Sequence, residues 1–412
     1  MNNNRKPFFS VVLPTLNRAD YIYFAIQSVL NQTFGDFELI ISDNSSTDNT
    51  EQVIRGFTDK RISYVKTEKT LPMYESWEFA LGQASGEYIT FLGDDDAHST
   101  IYLESLKKVI DEHNVKIVSC RMADYYYQNS DNYKSESLTT HPFSNKLLIY
   151  DSRQLIKDIY IDSRLCKGNP LNKFQIPQLI NTAYHNSVFS AIKNTLGKVF
   201  PPVLAGDFYL AVIALNLTEK YYYLDSPLSF HGISTESTTS SITNQPKGAN
   251  LKNTQPELAA FRKAPLNVYV PYNFVADALM LAKSDLGDDL DYFDLDIVGY
   301  FVNIYYLLDE LELNKYDIYE ENKEFYAAVG EQKLSVQNEI KSIISNKKNI
   351  LKNKLRIKFH KSMVYQFLRD LRRFNRYKIL VIRGENAGFS NIAECAGFVE
   401  YKFLNSYKTG SQ

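Results

Sequence analysis

One pattern occurs three times in the first hundred residues of this 412-residue chain, in FFSVVLPTLNR (residues 8–18), FELIISDNSSTDNT (37–50) and EYITFLGDDD (87–96). Each segment is an apolar run that ends abruptly in polar residues, and residues at helical spacing follow it. Short buried strands that alternate with amphipathic helices are typical of β-α-β units. The sequence therefore predicts an α/β fold in three layers, built around a mostly parallel sheet.

The pattern continues through the first 120 residues. Strands are expected at Phe8–Leu13, Phe37–Ser42, Ile62–Val65, Glu87–Leu92 and Lys116–Cys120. Helices are expected between them, with Asp20 as the cap of the first and Pro72 in the first turn of the third. Ligands of parallel sheets bind beyond the carboxyl ends of the strands. Asp43 and Asp94–Asp96 are therefore expected at the ligand-binding edge.

The predicted domain organisation follows changes in composition and charge. The net charge is −2, but residues 285–324 carry 13 acids and 2 lysines, whereas residues 347–383 carry 13 Lys/Arg and one acid. We expect a catalytic α/β domain at residues 1–240, followed by a polar and breaker-rich linker at residues 241–262. An acidic helical region is expected at residues 263–345 and a basic amphipathic region at residues 346–412.

Composition excludes several classes of protein. A hydrophobic fraction of 44% with 23% charged residues is ordinary for a globular chain, so wholesale disorder is excluded. The sequence has no uncharged apolar run of membrane-spanning length, and MNNNRKPFF lacks the apolar core of a signal peptide. Its 3 cysteines are far apart and odd in number, which favours a reducing compartment over a disulfide framework. We therefore expect a cytoplasmic protein.

Three adjacent acids, Asp94, Asp95 and Asp96, follow the fourth expected strand. Their charges repel one another, and a hard cation such as Mg²⁺ or Mn²⁺ relieves that repulsion because it prefers carboxylate oxygens. Such a metal would bridge to a diphosphate and stabilise it as a leaving group. The alternative is a solvated acidic turn that caps the helix near Thr100.

Short polar side chains follow the first two strands. Thr15 and Asn17 come after the first strand, and Asp43 comes at the end of the second. Their oxygens could accept hydrogen bonds from a base or ribose. The cluster around Asp43 is also what a turn and a helix cap require.

The ordered combination of these segments resembles the N-terminal half of family 2 glycosyltransferases. These inverting enzymes have the GT-A fold and use nucleotide-diphosphate sugars. The resemblance is dense over residues 8–110, continues more loosely to about residue 235 and leaves about the last 170 residues uncovered.

The resemblance implies roles for the residues at the sheet edge. Thr15, Asn17 and Asp43 would bind the donor nucleotide, most often uridine in this family. Asp95 and Asp96 match the family's acidic pair on ribose and metal, but Gly93 stands where the family often has an acid. We assign Asp95 to the donor and Asp94 and Asp96 to Mn²⁺ or Mg²⁺, and which two of the three acids hold the metal stays open. The segment Leu71–Leu81 also departs from the family's pattern.

Two further residues acquire roles from the resemblance. Asp207, in LAGDFYLAV, matches the family's catalytic base, although Gly206 stands where a Glu usually precedes it. A plain helix cap is the alternative for Asp207. His231, in SPLSFHGIS, could coordinate the metal or the diphosphate, and a purely structural role is its alternative.

The basic C-terminal region carries apolar residues at three- and four-residue spacing from Leu351 to Phe374, as on one face of a helix. It would either associate with an anionic membrane surface through residues 346–383 or pack on the protein's own core. No nucleic-acid partner is expected, because no recognition motif accompanies the charge.

The sequence is therefore interpreted as an inverting glycosyltransferase. It would move a sugar, expected from a UDP-sugar, to a saccharide or lipid-linked acceptor in surface polysaccharide biosynthesis, such as capsule, O-antigen or lipooligosaccharide. The alternatives are a sugar-nucleotide nucleotidyltransferase, which usually has a glycine-rich basic loop that PTLNRAD lacks, and a non-catalytic carbohydrate-binding or scaffold protein.

Overall fold

The structure is a computed structural model that describes residues 6–128, 135–161, 176–234, 261–287, 296–313, 317–345 and 380–404. The expected linker lies outside these ranges except for residues 261–262, and the expected apolar helix face from Leu351 to Phe374 lies outside them entirely.

Eleven strands in the described ranges form one sheet. They are β1 (Phe9–Thr15), β2 (Phe37–Asp43), β3 (Ile62–Lys66), β4 (Tyr88–Phe91), β5 (Ala97–His98), β6 (Ile117–Tyr126), β7 (Ser137–Thr140), β8 (Leu147–Asp151), β9 (Thr182–His185), β10 (Lys220–Ile233) and β11 (Leu380–Arg383). Their order is β11-β7-β6-β9-β4-β1-β2-β3, and β10 pairs with β5, β6 and β8 beside this path.

The N-terminal part of the sheet is parallel, as predicted. Strands β3, β2, β1 and β4 pair in parallel, and the register places Thr15 opposite Asp43 at the carboxyl ends. Strand β9 then inserts antiparallel between β4 and β6, and β10 runs parallel to β6. The result is an α/β fold with a mixed sheet whose first four strands follow β-α-β order.

The helices in the described ranges are α1 (Ile22–Leu30), α2 (Thr50–Arg55), α3 (Met73–Leu81), α4 (Tyr102–His113), α5 (Ser152–Ile161), α6 (Asn186–Leu196), α7 (Gly206–Asn216), α8 (Pro271–Leu286), α9 (Ile297–Leu313), α10 (Tyr319–Gly330), α11 (Leu334–Ile344), α12 (Gly384–Ala387) and α13 (Ile392–Val399). A 3₁₀ turn covers Leu179–Asn181, and a π turn, Glu400–Leu404, follows α13.

The expected cap at Asp20 is wrong. Helix α1 begins at Ile22, its cap position is Tyr21, and no side chain caps it. The physical reason is a backbone turn: the Arg18 carbonyl accepts from the N–H groups of Tyr21 and Ile22, at 3.1 and 3.0 Å. Asp20 lies inside that turn rather than in front of the helix.

Apolar side chains on the two faces of the sheet form separate cores. In β1, Val12 packs into one core, and Val11 and Leu13 pack into the other. This alternation is expected for a strand, whose successive side chains point to opposite faces. The predicted three-layer arrangement is confirmed.

Helix α7 is buried on nearly every side, and residues Phe208 to Leu215 are all buried. The helical region that follows residue 261 provides part of this cover, because Phe274, Ala278 and Leu279 of α8 join the core that contains α7. The Tyr209 hydroxyl of α7 also donates to Asp285 Oδ2 of α8 at 2.8 Å. Residues that follow position 261 therefore pack against the helix that carries Asp207.

Residues 380–404 return to the sheet. Strand β11 pairs antiparallel with β7, and Ile392 and Val399 of α13 join a core with Ala97 and Phe230. We call residues 380–404 the return segment. Across the described ranges, no helix combines the length and the apolar character that a bilayer crossing requires.

A buried ion pair joins β6 to β10. Arg121 Nε and Nη2 contact Asp225 Oδ1 at 2.6 and 2.5 Å, and the two side chains are only 6% and 8% exposed. Asp225 Oδ2 accepts from the N–H and hydroxyl of Ser144 at 2.8 and 2.7 Å. The carboxylate therefore fixes β10 to β6 just where the register between these strands shifts.

We expect Asp225→Ala to destabilise the fold by about 3–5 kcal/mol, because it leaves the Arg121 guanidinium buried without its charge partner. Urea denaturation measures this difference. The control is Asp111→Ala, which removes an exposed ion pair with Lys107 on α4 and should cost less than about 1 kcal/mol. Equal small losses in both variants would contradict the burial of the Arg121 charge.

Candidate active site

The carboxyl ends of β1, β2 and β4 meet at one edge of the sheet. Thr15 and Asp43 end β1 and β2, and the acidic turn Gly93–Asp96 follows β4 after Leu92. The structure thus brings together the first three sequence segments, as their position after parallel strands predicts.

Asp43 is completely buried, and protein groups already bind its carboxylate. Oδ1 accepts from the Ser46 N–H at 2.7 Å, and Oδ2 accepts from the Tyr64 hydroxyl at 2.8 Å. Lys66 Nζ lies 3.6 Å from Oδ2. These contacts orient the carboxylate at the strand end.

Asn17 joins the loops that follow β1 and β2. Its N–H donates to Ser46 Oγ at 2.9 Å, and its Oδ1 accepts from the Thr47 N–H at 2.8 Å. Its φ of 55° is in the left-handed region, which asparagine tolerates better than most residues. Thr15 lies close enough to Asp94 to help lower the pKa of that carboxyl. The Thr15 hydroxyl is buried, and no group in the described residues meets the geometry of a hydrogen bond to it.

Asp96 supports the acidic turn. Its Oδ2 accepts from the Gly93 N–H at 3.1 Å, and its Oδ1 accepts from the Gly232 N–H of β10 at 2.8 Å. A Cβ at Gly93 would overlap the Asp96 carboxylate, and a Cβ at Gly232 would overlap the Asp95 carbonyl. Gly232 therefore has no room for a side chain, because β10 approaches the backbone of the acidic turn there, whereas a side chain at Gly93 would displace the Asp96 carboxylate.

The negative charges of Asp94 and Asp95 are less fully neutralised by protein groups than the charge of Asp96. Burial and repulsion from Asp95 raise the pKa of Asp94 to about 7, against the opposing effect of Arg18, whose Nε lies 3.4 Å from Asp94 Oδ1. Burial and repulsion from Asp96 raise the pKa of Asp95 to about 6. Burial also raises the pKa of Asp96. The turn thus concentrates negative charge that the protein only partly neutralises.

His231 lies beside this turn on β10. Its Nδ1 is 3.5 Å from Asp124 Oδ1 on β6. Burial lowers the pKa of His231, but the hydrogen bond to Asp124 and the charge of Asp96 outweigh burial and raise the pKa to about 9. In the absence of a ligand, His231 is therefore a cation at neutral pH and partly balances the acidic turn.

Asp207 is the second residue of α7 and lies in its first turn. Burial raises the pKa of Asp207 to about 6, opposed by hydrogen bonds to the backbone N–H groups of the first turn and by the charge of His231. A carboxylate with this pKa is ionised at neutral pH yet holds a proton more tightly than an ordinary aspartate. That combination suits a general base.

The residues of the acidic turn fit a hard divalent cation. They offer carboxylate oxygens whose raised pKa values mark unneutralised charge, together with the unsatisfied Thr15 hydroxyl. Among the residues described, however, no three metal-binding side chains converge into a ready-made site. A cation here would need further ligands, such as the oxygens of a diphosphate.

Sequence reasoning missed three residues around this site. Arg18 pairs with Asp94, Asp124 pairs with His231, and the Tyr127 hydroxyl donates to the Asp95 carbonyl at 2.9 Å. Arg18 was visible in the quoted motif. Asp124 and Tyr127 lie beyond the expected end of the fifth strand, at Cys120, so no local signal marked them.

Comparison with known proteins shows which family the N-terminal part of this chain resembles. The model of "Glycosyl transferase family 2" matches residues 10–172. A beta-1,3-glucosyltransferase of Campylobacter jejuni, named for GalNAc(5)-diNAcBac-PP-undecaprenol, is 43% identical over 94 residues, which are 22% of this chain and 30% of that protein. The Escherichia coli enzyme WfgD, named UDP-Glc:alpha-D-GlcNAc-diphosphoundecaprenol beta-1,3-glucosyltransferase, is 32% identical over 109 residues, which are 26% of this chain and 43% of that protein.

Among solved structures, S. aureus TarS 1–349 in complex with UDP-GlcNAc is matched at a TM-score of 0.49 and 16% identity, over 90% of this chain and 92% of that one. The matches span less than half the length of the two curated relatives. The family match includes Thr15, Asp43 and the acidic turn, and Asp207 and His231 lie outside it. Residues 10–172 of this chain are therefore similar to glycosyl transferase family 2.

Proposed function

We propose that this protein transfers a sugar from a UDP-sugar to a lipid-linked saccharide acceptor, with inversion at the anomeric carbon, in the synthesis of a surface polysaccharide. One observation carries the proposal: the acidic turn and His231 lie together at the carboxyl edge of the sheet, and the charge of His231 also reaches Asp207. The names of the two curated relatives supply the donor and the class of acceptor.

The donor would bind across the ends of β1, β2 and β4. Thr15, Asn17 and Asp43 would contact the base and ribose, and Asp95 would contact the ribose. Asp94, Asp96 and His231 would hold Mn²⁺ or Mg²⁺ with the diphosphate. When bound, the cation supplies positive charge that stabilises the leaving diphosphate. Asp96 also accepts from two backbone N–H groups, and His231 would bind a metal as the neutral imidazole.

Asp207 would act on the acceptor. The acceptor hydroxyl oxygen attacks the anomeric carbon from the face opposite the diphosphate, its proton passes to the Asp207 carboxylate, and the bond from the anomeric carbon to the diphosphate oxygen breaks. A single displacement of this kind inverts the configuration. It needs one base on the acceptor side, and the pKa of Asp207, about 6, matches that role.

A lipid-linked acceptor would bring the enzyme to a membrane surface. The net charge of residues 347–383, with 13 Lys/Arg and one acid, would favour an anionic leaflet. Peripheral association through residues 346–383 is therefore part of this proposal.

The first test concerns the donor and the metal. We expect UDP to bind more tightly with Mn²⁺ than in EDTA, because the cation would join the diphosphate to the acidic turn. Asp94→Asn should weaken the Mn²⁺-dependent binding by at least about 10-fold, a loss that even removal of an indirect partner of a metal ligand can cause. Isothermal titration calorimetry measures both effects.

The control for this test is Asp111→Asn, which removes an equal charge from the exposed side of α4 and should leave UDP affinity unchanged. UDP affinity that does not depend on metal would contradict the metal assignment. A thermal-shift screen of UDP-, GDP-, CMP- and TDP-sugars with Mn²⁺ tests the identity of the donor. Stabilisation by a sugar nucleotide whose nucleoside is not uridine would contradict the UDP assignment.

The second test concerns Asp207. Because its pKa is about 6, we expect kcat/KM to fall as pH drops below about 6, where protonation removes the base. Asp207→Asn should lower kcat by about 10²-fold or more and abolish this acidic limb. Initial rates between pH 5 and pH 8 measure both.

Protonation of Asp207 has opposite effects on activity and on stability: it lowers kcat/KM but favours the folded state. The folded state raises the Asp207 pKa above 3.8, so it holds the proton more tightly than the unfolded state, and stability falls as pH rises from about 4 to 6. The neutral Asn variant should therefore melt no lower than the wild type at pH 7. If Asp207→Asn keeps a near-wild-type kcat, another group accepts the proton of the acceptor hydroxyl.

A further inference from the structure

The return segment, residues 380–404, lies outside the family match, yet it contacts the polypeptide that follows the acidic turn and packs against β6 and β10. We propose that Glu400 is a positioning residue, which holds the acidic turn Gly93–Asp96 in the geometry that binds the donor. The catalytic part of this inference rests on the proposed function, and the structural part does not.

Glu400 holds the two residues after β5. Its Oε2 accepts from Ser99 Oγ at 2.9 Å and from Thr100 Oγ1 at 2.7 Å. Ser99 is fully buried, and only the two residues of β5 separate it from Asp96. Hydrogen bonds to a carboxylate are stronger than those between neutral groups. Glu400 therefore anchors the chain three residues from an acid of the turn.

Strand β5 is too short to fix this position alone. It consists of Ala97 and His98, and it pairs only with Phe230 and Ser229 of β10 within the described ranges. Helix α1 and the loop after it hold the backbone on one side, because Gln32 Nε2 donates to the Ser99 carbonyl at 2.7 Å and the Thr33 N–H donates to the Thr100 carbonyl at 2.8 Å. Glu400 also holds these two residues, because its carboxylate accepts hydrogen bonds from the side-chain hydroxyls of Ser99 and Thr100.

A second connection reaches the acidic turn through aromatic rings. Phe389 of the return segment packs on Tyr125, with ring centroids 6.2 Å apart, and Tyr125 meets Tyr127 edge-to-face at 5.0 Å. The Tyr127 hydroxyl then donates to the Asp95 carbonyl at 2.9 Å. The return segment thus supports the turn at Asp95 and again just beyond Asp96.

The turn needs this support because its three carboxylates repel one another. Displacing a binding group by about 1 Å can cost about 10²-fold in rate. A contact that limits movement of the turn therefore affects donor binding more than acceptor binding, since the acceptor would meet Asp207 on α7.

The test compares Glu400→Ala with Glu400→Gln and Glu394→Ala. The amide oxygen of Gln still accepts from both hydroxyls, so Glu400→Gln is the conservative variant. Glu394 is the matched control in the same segment: its carboxylate accepts two hydrogen bonds, from the N–H and hydroxyl of Ser390, and both stay within the return segment.

The first measurement is amide hydrogen exchange of the full chain, followed by mass spectrometry of a peptide that covers residues 92–101. The N–H groups of Gly93, Asp96 and Ser99 are hydrogen-bonded there. We expect Glu400→Ala to speed their exchange by about tenfold or more, and Glu400→Gln and Glu394→Ala to change it little. Unchanged exchange in Glu400→Ala overturns the proposal whether or not the protein is a glycosyltransferase.

The second measurement is steady-state kinetics with a UDP-sugar. We expect Glu400→Ala to lower kcat/KM for the donor by about tenfold or more, with KM for the acceptor unchanged and rescue in Glu400→Gln. An equal loss in Glu394→Ala, or an equal rise in both KM values, would indicate general destabilisation and contradict positioning. Absence of transfer by the wild type contradicts the proposed function alone, and the exchange result then decides the structural claim.

Discussion

Repulsion among three adjacent carboxylates, of which Asp96 is buried and Asp94 and Asp95 are half-buried, is the constraint around which this site is built. Asp94, Asp95 and Asp96 all have raised pKa values, because burial disfavours their charged forms. The chain meets this cost in three ways: backbone N–H groups bind Asp96, Arg18 pairs with Asp94, and the charge of His231 lowers the pKa of Asp95. Apart from Gly93, these partners come from other parts of the chain, Arg18 from the loop after β1 and Gly232 and His231 from β10, so the fold must bring them to the turn.

The sequence predicts the first half of this arrangement well. Apolar runs that end in polar residues locate the carboxyl ends of β1, β2 and β4, and a parallel sheet places those ends on one edge. The same reasoning places Asp207 at the start of a helix, which the structure confirms. These features are local, because each depends on a short segment and on the handedness and order of β-α-β units.

The second half depends on pairing between distant segments, which no local pattern contains. Strand β6 extends to Tyr126, well past the end expected at Cys120, β10 extends to Ile233, and the register between them shifts around Pro227. Only this extension places His231 opposite Asp124. The antiparallel insertion of β9 is equally invisible in the sequence, because its four residues carry no signal that distinguishes them from a loop.

Charge patterning described the C-terminal third without predicting its packing. The acidic and basic blocks suggested surface regions, yet α8 covers the otherwise exposed apolar side of α7, and the return segment adds β11 to the sheet. Helix α7 has apolar residues all round, and such a helix must be covered on every side. An N-terminal domain that ended at residue 240 would leave part of that surface in water. The residues after 261 are therefore part of what packs the helix that carries Asp207, and desolvation at the start of that helix raises the pKa of Asp207 toward the value that a base requires.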